Sequence, residues 1–233
     1  MNKEWCFNEF IQTGTDFTDV KKVEAYDSKM QKFRNYKHEA EQILNVLNVS
    51  SNHIILEIGT GTGHFAIEAS KRCKKVYAID VSKPMLDYAK LKAKKENIDN
   101  IEWLKYGFLT YDFPDNIKFD SIVSNAALHH LPDFWKMIAV NKIYKSLKEK
   151  GKFFLGDVIF SFKFDELNDK IDEWIKNSKN ISVEFSSETI THVRDEYSTY
   201  SWIIEGMFER IGFKFQKLND TDANNFVAYL CSK

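Results

Sequence analysis

A mostly parallel β-sheet packed between helices is the fold class this sequence predicts, and three observations predict it. Short apolar runs alternate with stretches of helical periodicity through the middle of the chain. The glycines of Gly59-Thr60-Gly61-Thr62-Gly63 stand between the first such run and the helix that follows it. Near the C-terminus two apolar runs are separated only by residues 219–225, too few for a helical crossover, so they pair as an antiparallel hairpin.

The elements follow in order. Residues 1–18 are mixed in character and read as a start segment or a piece of lid. Val23, Tyr26, Met30 and Phe33, then Ala40, Ile43, Leu44 and Leu47, recur at three- and four-residue spacing, which predicts helix over 20–47. Ile54–Ile58 is an apolar run of strand length, and helix resumes over 64–71. Residues 76–79 form the second strand, closed by Asp80. Ser82 caps the next helix, with Pro84 in its first turn and Leu86, Ala89, Leu91 and Ala93 as its apolar side up to Lys95. Ile101–Leu104 is the third strand, and 119–124 is a fourth, apolar enough for a central place. Phe134, Met137, Ile138, Ile143 and Leu147 mark the inward side of a helix over 133–147. That helix ends toward Gly151, and a fifth strand begins over 153–155. Residues 161–199 read as an insertion with one helical segment around Leu167, Ile171, Trp174 and Ile175. Helix over 200–211 and strands over 213–218 and 226–231 complete the chain.

Composition narrows the function. The 233 residues suffice for one substantial core, so a single domain over 1–233 is expected. Lysine and arginine total 33 against 34 acids, which lacks the electrostatic footprint of a nucleic-acid binder. Cys6, Cys73 and Cys231 are too scattered for a disulfide framework or a zinc knuckle and read as reduced thiols of a cytoplasmic protein. The start carries Glu4 and no continuous apolar segment, so no signal peptide is expected, and no stretch reaches membrane-spanning length. The abundance of Phe and Tyr supplies aromatic surface for a pocket or lid.

The stretch Leu56-Glu57-Ile58-Gly59-Thr60-Gly61-Thr62-Gly63-His64-Phe65, with Asp80 closing the next strand, carries the chemistry. An acid before glycines at every second position and a second acid one strand later suggest a nucleoside cofactor. A dinucleotide fingerprint would place its third glycine where His64 stands, so this is not an NAD site. Glu57 would repel a pyrophosphate but suits a cationic ligand. An acid closing a buried apolar strand is costly without a partner. The ligand that joins a cationic amino acid to a nucleoside is S-adenosylmethionine.

With these motifs in place the chain resembles a class I S-adenosylmethionine-dependent methyltransferase of the UbiE-like methyltransferase-domain type. The likeness runs from Tyr26 to the C-terminus through Ala78-Ile79-Asp80-Val81-Ser82, Phe119-Asp120-Ser121-Ile122-Val123, Ala127-Leu128-His129-His130-Leu131-Pro132-Asp133 and Gly151-Lys152-Phe153-Phe154-Leu155. It implies a Rossmann-like three-layer sandwich whose seven-stranded, mostly parallel sheet has the order 3-2-1-4-5-7-6, strand 7 antiparallel. It also implies a lid over 1–38 and a substrate cap from 161–199.

The resemblance implies roles residue by residue. Gly59, Thr60, Gly61 and Gly63 pass beneath the methionyl part and ribose, Glu57 faces the ammonium, and Asp80 accepts from both ribose hydroxyls. Val81 and Met85 line the adenine, Asn125 and Ala126 meet the methionyl side, and Tyr26 covers the cofactor from the lid. Relatives often carry an aspartate after the glycine that ends strand three; here Gly107 is followed by Phe108, which can stack on the purine. His129 and His130, just past strand four, are the candidate proton acceptors for methyl transfer. Arg34 can meet the cofactor carboxylate or the substrate, and His192, Arg194, Glu196 and Tyr200 are candidates to reach substrate from the cap. Adjacent histidines point differently and no cysteine or third histidine stands at ligand spacing, so no metal is expected.

The expected activity is methyl transfer to oxygen, nitrogen or carbon of a small molecule, releasing S-adenosylhomocysteine, with no membrane partner and a homodimer allowed. The alternatives are an RNA or protein methyltransferase and a cofactor-binding regulatory module that does not catalyse. The Asn-Pro-Pro-Tyr-like signature of many nucleic-acid amino methylators is replaced after strand four by Ser124-Asn125-Ala126-Ala127.

Overall fold

The computed structural model describes residues 4–11, 13–14, 17, 19–31, 34–218 and 225–233. Its strands are β1 Ile54–Ile58, β2 Lys75–Ile79, β3 Ile101–Leu104, β4 Phe119–Asn125, β5 Leu147–Phe160, β6 Thr199–Tyr200, β7 Lys214–Lys217 and β8 Phe226–Ser232. Its helices are α1 Val20–Met30, α2 Tyr36–Leu47, α3 His64–Ser70, α4 Lys83–Lys95, α5 Asp133–Ser146, α6 Leu167–Ile181, α7 Val183–Arg194 and α8 Ser201–Ile211. The strands run in the order β3-β2-β1-β4-β5-β8-β7. Neighbours from β3 to β5 are parallel, and β8 is antiparallel to both β5 and β7. This is the expected seven-strand path, with β7 and β8 in the sixth and seventh places. The two-residue β6 adds an unanticipated parallel pairing at the far end of β5.

Period-two alternation divides the strand residues between two cores. Ile55, Val76, Ala78 and Val123 pack with Ile43, Leu44 and Leu47 of α2 and Phe65 and Ala66 of α3. Leu56, Ile58, Ile122, Phe153 and Leu155 pack with Val140 and Ile143 of α5 and Ile204 and Phe208 of α8. Ser82 caps α4 as its position suggests, accepting from Met85 N at 3.3 Å. No helix among the described residues is long and apolar enough to cross a membrane.

Several expectations are corrected. The single helix over 20–47 is two, because the Asn35 side chain accepts from His38 N and starts α2 afresh. Phe33 lies outside the described residues. Leu91 is 60% exposed, so the buried side of α4 is Met85, Leu86, Ala89 and Ala93. In α5 the inward side is rotated: Phe134 and Ile138 are 66% and 38% exposed, while Lys136, Ala139, Val140 and Ile143 are buried. The Lys136 ammonium can turn inward because it donates to Asp133 Oδ1 at 2.8 Å and to the Tyr197 carbonyl. Trp135 beside it stacks on Trp5 from the start of the chain. Residues 161–199 hold two helices instead of one, since Ser182 ends α6 and caps α7 by accepting from Phe185 N.

A buried carboxylate ties α1, the helix nearest the start of the chain, to the body, and Lys29 of the same helix pairs with Glu188 of α7 at 2.5 Å. Asp27 accepts from Thr62 Oγ1 at 2.6 Å and Lys92 Nζ at 2.6 Å, and lies 3.0 Å from His64 Nε2. Burial alone would raise this carboxyl, but His64, Lys92 and Thr62 together hold it at about 2. Asp27→Asn is therefore expected to lower stability at pH 7 by about 2 kcal/mol. The native pKa is below the unfolded one, so this contribution is full above about pH 4 and fades as pH falls toward the native value. Urea unfolding of both proteins from neutral to acid pH checks it; a difference that stays constant with pH overturns the assignment.

Candidate active site

The carboxyl tips of β1, β2 and β4 open into a cavity of about 1270 Å3, its solvent-open mouth included. Parallel strands place their following loops at one edge, which is where a crevice forms. Glu57 enters from the last turn of β1 and is buried. Thr60 Oγ1 donates to its Oε2 at 2.5 Å, and no cation pairs with it among the described residues. Burial pushes its pKa up to about 8; Thr60 opposes the rise and Asp80 adds to it. The site thus holds a carboxyl poised for a positive charge.

Asp80 borders the same space. Its two oxygens accept from Gly61 N and Ser82 N, each at 2.8 Å, which fixes the carboxylate plane and leaves lone pairs free. Burial raises its pKa as well. The three glycines of the loop serve different ends. A Cβ on Gly61 (φ 52°) would meet nothing within 4 Å, so the backbone there faces open cavity. A Cβ on Gly59 would strike Ala127 Cβ at 2.4 Å. Gly63 does not line the cavity: its Cβ would collide with Trp103 at 2.7 Å and Ala89 at 2.9 Å, so it permits helix and strand to approach.

Val81, Met85, Gly107 and Phe108 form one wall, and Asn125 and Ala126 form another. Ala126 sits at φ 57° and donates its N–H to the Gly156 carbonyl at 2.8 Å, which turns the chain out of β4 beneath the cavity. The roof is aromatic, from Phe17, Tyr26 and Tyr36. Tyr36 also stacks on His64, with ring centroids 4.0 Å apart and planes at 10°. Arg34 lines the cavity with its guanidinium held by Glu39, Nη2 to Oε2 at 2.5 Å.

Glu9 is a wall residue that sequence reasoning missed. Its buried carboxylate reaches from the start of the chain to the loop after β3 and accepts from Leu109 N, Thr110 N and Thr110 Oγ1 at 2.6–3.1 Å. It lies under Gly107, where any Cβ would strike it at 2.4 Å. A carboxylate is thus present beside Phe108, supplied from about a hundred residues away. Nothing local in the sequence marks it.

The histidines divide. His130 lines the cavity, and its Nδ1 is buried without a hydrogen-bond partner. Burial, then the charge on His129, pulls its pKa down to about 4. His129 stands outside the cavity, with Nδ1 2.5 Å from Asp157 Oδ1 and Nε2 3.4 Å from Glu196 Oε2. Burial opposes its charged form, but Asp157 outweighs this and its pKa is raised. The cap candidates lie elsewhere. His192 contacts Glu196, Arg194 is exposed and pairs with Asp195, and Tyr200 packs against Phe160 and Phe162. None of His192, Arg194, Glu196 and Tyr200 lines the cavity. Glu196 instead joins His129 and His130, so that three side chains able to ligate a metal meet.

A family profile described as "Methyltransferase domain" matches residues 55–151, the stretch that carries β1 to β4. A Bacillus thuringiensis protein, described as an uncharacterized methyltransferase, is 30% identical over 215 residues, covering 88% of this chain and 94% of that protein. One from Anoxybacillus flavithermus with the same description is 33% identical over 153 residues, 63% of this chain and 69% of its own. Among solved structures, a SAM dependent methyltransferase from Aquifex aeolicus has a TM-score of 0.59 at 21% identity, covering 92% of this chain and 97% of that one. That last likeness is one of fold. The chain is a methyltransferase of the class I Rossmann-like kind. It belongs to the methyltransferase-domain family, whose cofactor is S-adenosylmethionine.

The glycine loop allows a direct comparison. Gly61→Ala and Gly63→Ala both impose a left-handed backbone on alanine, at about 1–2 kcal/mol. Only Gly63→Ala adds a collision, so it is expected to lose a further ~1–3 kcal/mol of stability. Gly61→Ala is expected to fold and to bind S-adenosylhomocysteine at least about tenfold more weakly, a cost of about 1.4 kcal/mol. Thermal melts and calorimetry check this; equal Tm losses, or undiminished binding in Gly61→Ala, contradict the division of roles.

Proposed function

We propose that this methyltransferase acts on a small-molecule acceptor bound in the same cavity as its cofactor. The observation that carries the reading is the pair of carboxylates, Glu57 and Asp80, that face one aromatic-roofed space with the open backbone of Gly61 between them. Glu57 would take the ammonium of S-adenosylmethionine, and Asp80 its ribose hydroxyls. Gly59, Thr60 and Gly61 would lie against the sugar and methionyl part, with Asn125 and Ala126 opposite. Val81, Met85, Gly107 and Phe108 would flank the adenine. Tyr26 would cover the ligands and exclude water. The bound cofactor supplies an electrophilic methyl carbon together with its own leaving group.

Arg34, Tyr36, His130 and Leu131 also line the cavity and are the residues left to meet an acceptor. Two features support a small acceptor. The roof of Phe17, Tyr26 and Tyr36 is suited to enclosing a compact molecule, and the net charge of −1 offers no general attraction for a polyanion. The protein's main contribution here is alignment of a nucleophile in a dry site. His130, neutral near pH 7, offers the acceptor a hydrogen-bonding imidazole; with a pKa of about 4 it is a weak proton acceptor.

Calorimetry with S-adenosylmethionine and S-adenosylhomocysteine, followed by transfer assays on a panel of small phenols, thiols and amines, tests the reading. Cofactor binding with turnover only on RNA or protein would overturn it. Glu57 adds a proton signature. In the free protein its pKa of about 8 keeps it mostly protonated at pH 7, and an arriving ammonium would ionise it. Cofactor binding at pH 7 is therefore expected to release close to one proton, and affinity to rise with pH up to about 8. Titrations in buffers of different ionisation enthalpy measure this. Glu57→Gln should abolish the proton release; release that persists in that variant assigns it to another group.

A further inference from the structure

The cofactor residues leave unexplained a cluster beside the cavity, where the wall residue His130 meets His129 and Glu196. The two histidines come from the turn after β4, with ring centroids 4.3 Å apart. Glu196 comes from the end of α7 in the cap and is buried. One ligand atom from each of the three lies within 4.8 Å of the other two. We propose that His129, His130 and Glu196 form a binding site for a divalent first-row transition-metal ion such as Zn2+, reached from the cavity at His130.

The chemistry of the donors fits that class of ion. Two imidazoles and one carboxylate are borderline N/O ligands, a set suited to zinc, iron(II) or cobalt(II) and not to calcium. The surroundings resemble the outer shell of a metal site. His129 Nδ1 lies 2.5 Å from Asp157 Oδ1; donating its N–H there leaves the Nε2 lone pair on the Glu196 side, free to ligate a metal. Asp157 also accepts the His129 backbone N–H at 3.2 Å, which holds the ring and chain together. His192 Nδ1 meets the same Glu196 Oε2 that faces His129 Nε2, and so helps to hold the carboxylate in place.

A purely structural ion-pair network would account for His129, Asp157, Glu196 and His192, which tie the cap to the core. It leaves out His130, whose Nδ1 is buried and unpartnered beside them. A metal ion held through Nδ1 would give that nitrogen its partner. Bonds of about 2.0–2.1 Å put tetrahedral donors about 3.4 Å apart, so the side chains must draw inward by side-chain rotation. No hydrogen bond on His130 Nδ1 resists that movement. Three protein ligands leave a coordination position open, and His130 places the cluster at the cavity wall. There the ion could hold the lone pair of an acceptor hydroxyl or thiol and make its proton easier to lose. Only this last use rests on the methyl-transfer reading of the cavity.

The test uses the chelator-stripped full chain titrated with Co2+ alone. A visible d–d absorption saturating at one equivalent and abolished by Zn2+ is expected. His130→Ala should weaken Co2+ binding at least tenfold, as should Glu196→Gln, with circular dichroism unchanged. His130→Ala keeps the test sound if the Glu196 variant fails to fold, because His130 Nδ1 supports nothing. Absence of a saturable spectrum in the parent protein, or unchanged affinity in His130→Ala, overturns the site. S-adenosylhomocysteine affinity, measured in parallel, tests the cavity separately: its absence alongside intact cobalt binding overturns only the use of the ion in methyl transfer.

Discussion

Burying a carboxyl group without a cation beside it is the constraint on which this structure turns. Glu57 stands near the end of a strand in which Ile55, Leu56 and Ile58 are fully enclosed, and the Thr60 hydroxyl and the Ala66 backbone relieve it without a cation. Such a group is a standing cost in the ligand-free protein, met by holding its proton. The cost becomes useful when a positively charged ligand arrives. The parallel sheet makes the arrangement reproducible, since β1 and β2 end side by side and bring Glu57 and Asp80 to one edge. The glycine loop between them is bent by Asp80 itself, through its bond from Gly61 N.

The roof over that edge is assembled from parts distant in sequence. Asp27 ties α1 to α3 and α4 through Thr62, His64 and Lys92, so the lid is anchored to the loop that faces the cofactor. Glu9 does the same for the start of the chain, by satisfying the backbone donors after β3. Both are buried acids whose partners are hydrogen-bond donors on the body of the domain. The two carboxylates thus join the start of the chain to the walls of the cavity.

The cap is joined to the core by a different device. Lys136, turned inward on α5, holds the Tyr197 carbonyl, and Tyr197 N donates to the His129 carbonyl at 2.9 Å. Together with the Glu196 contacts, these bonds fasten the end of α7 against the turn after β4.

Much of this was legible in the sequence. The positions of β1 to β4, the Ser82 cap and the terminal hairpin follow from local signals, because apolar run length, capping side chains and connection length act within a few residues. The same holds for Glu57, Gly61 and Asp80, whose spacing spans one strand–helix–strand unit. Tertiary structure decided the rest. Which side of α5 faces inward depended on a carbonyl 61 residues from Lys136. Gly63, which the motif places with the ligand loop, does not line the cavity and lets Trp103 and Ala89 pack close. Glu9 and Glu196 reached their places through contacts that no periodicity encodes. Local chemistry determined the elements and the cofactor edge; the lid, the cap and the histidine cluster were settled by long-range burial and charge pairing, which a chain reveals only when folded.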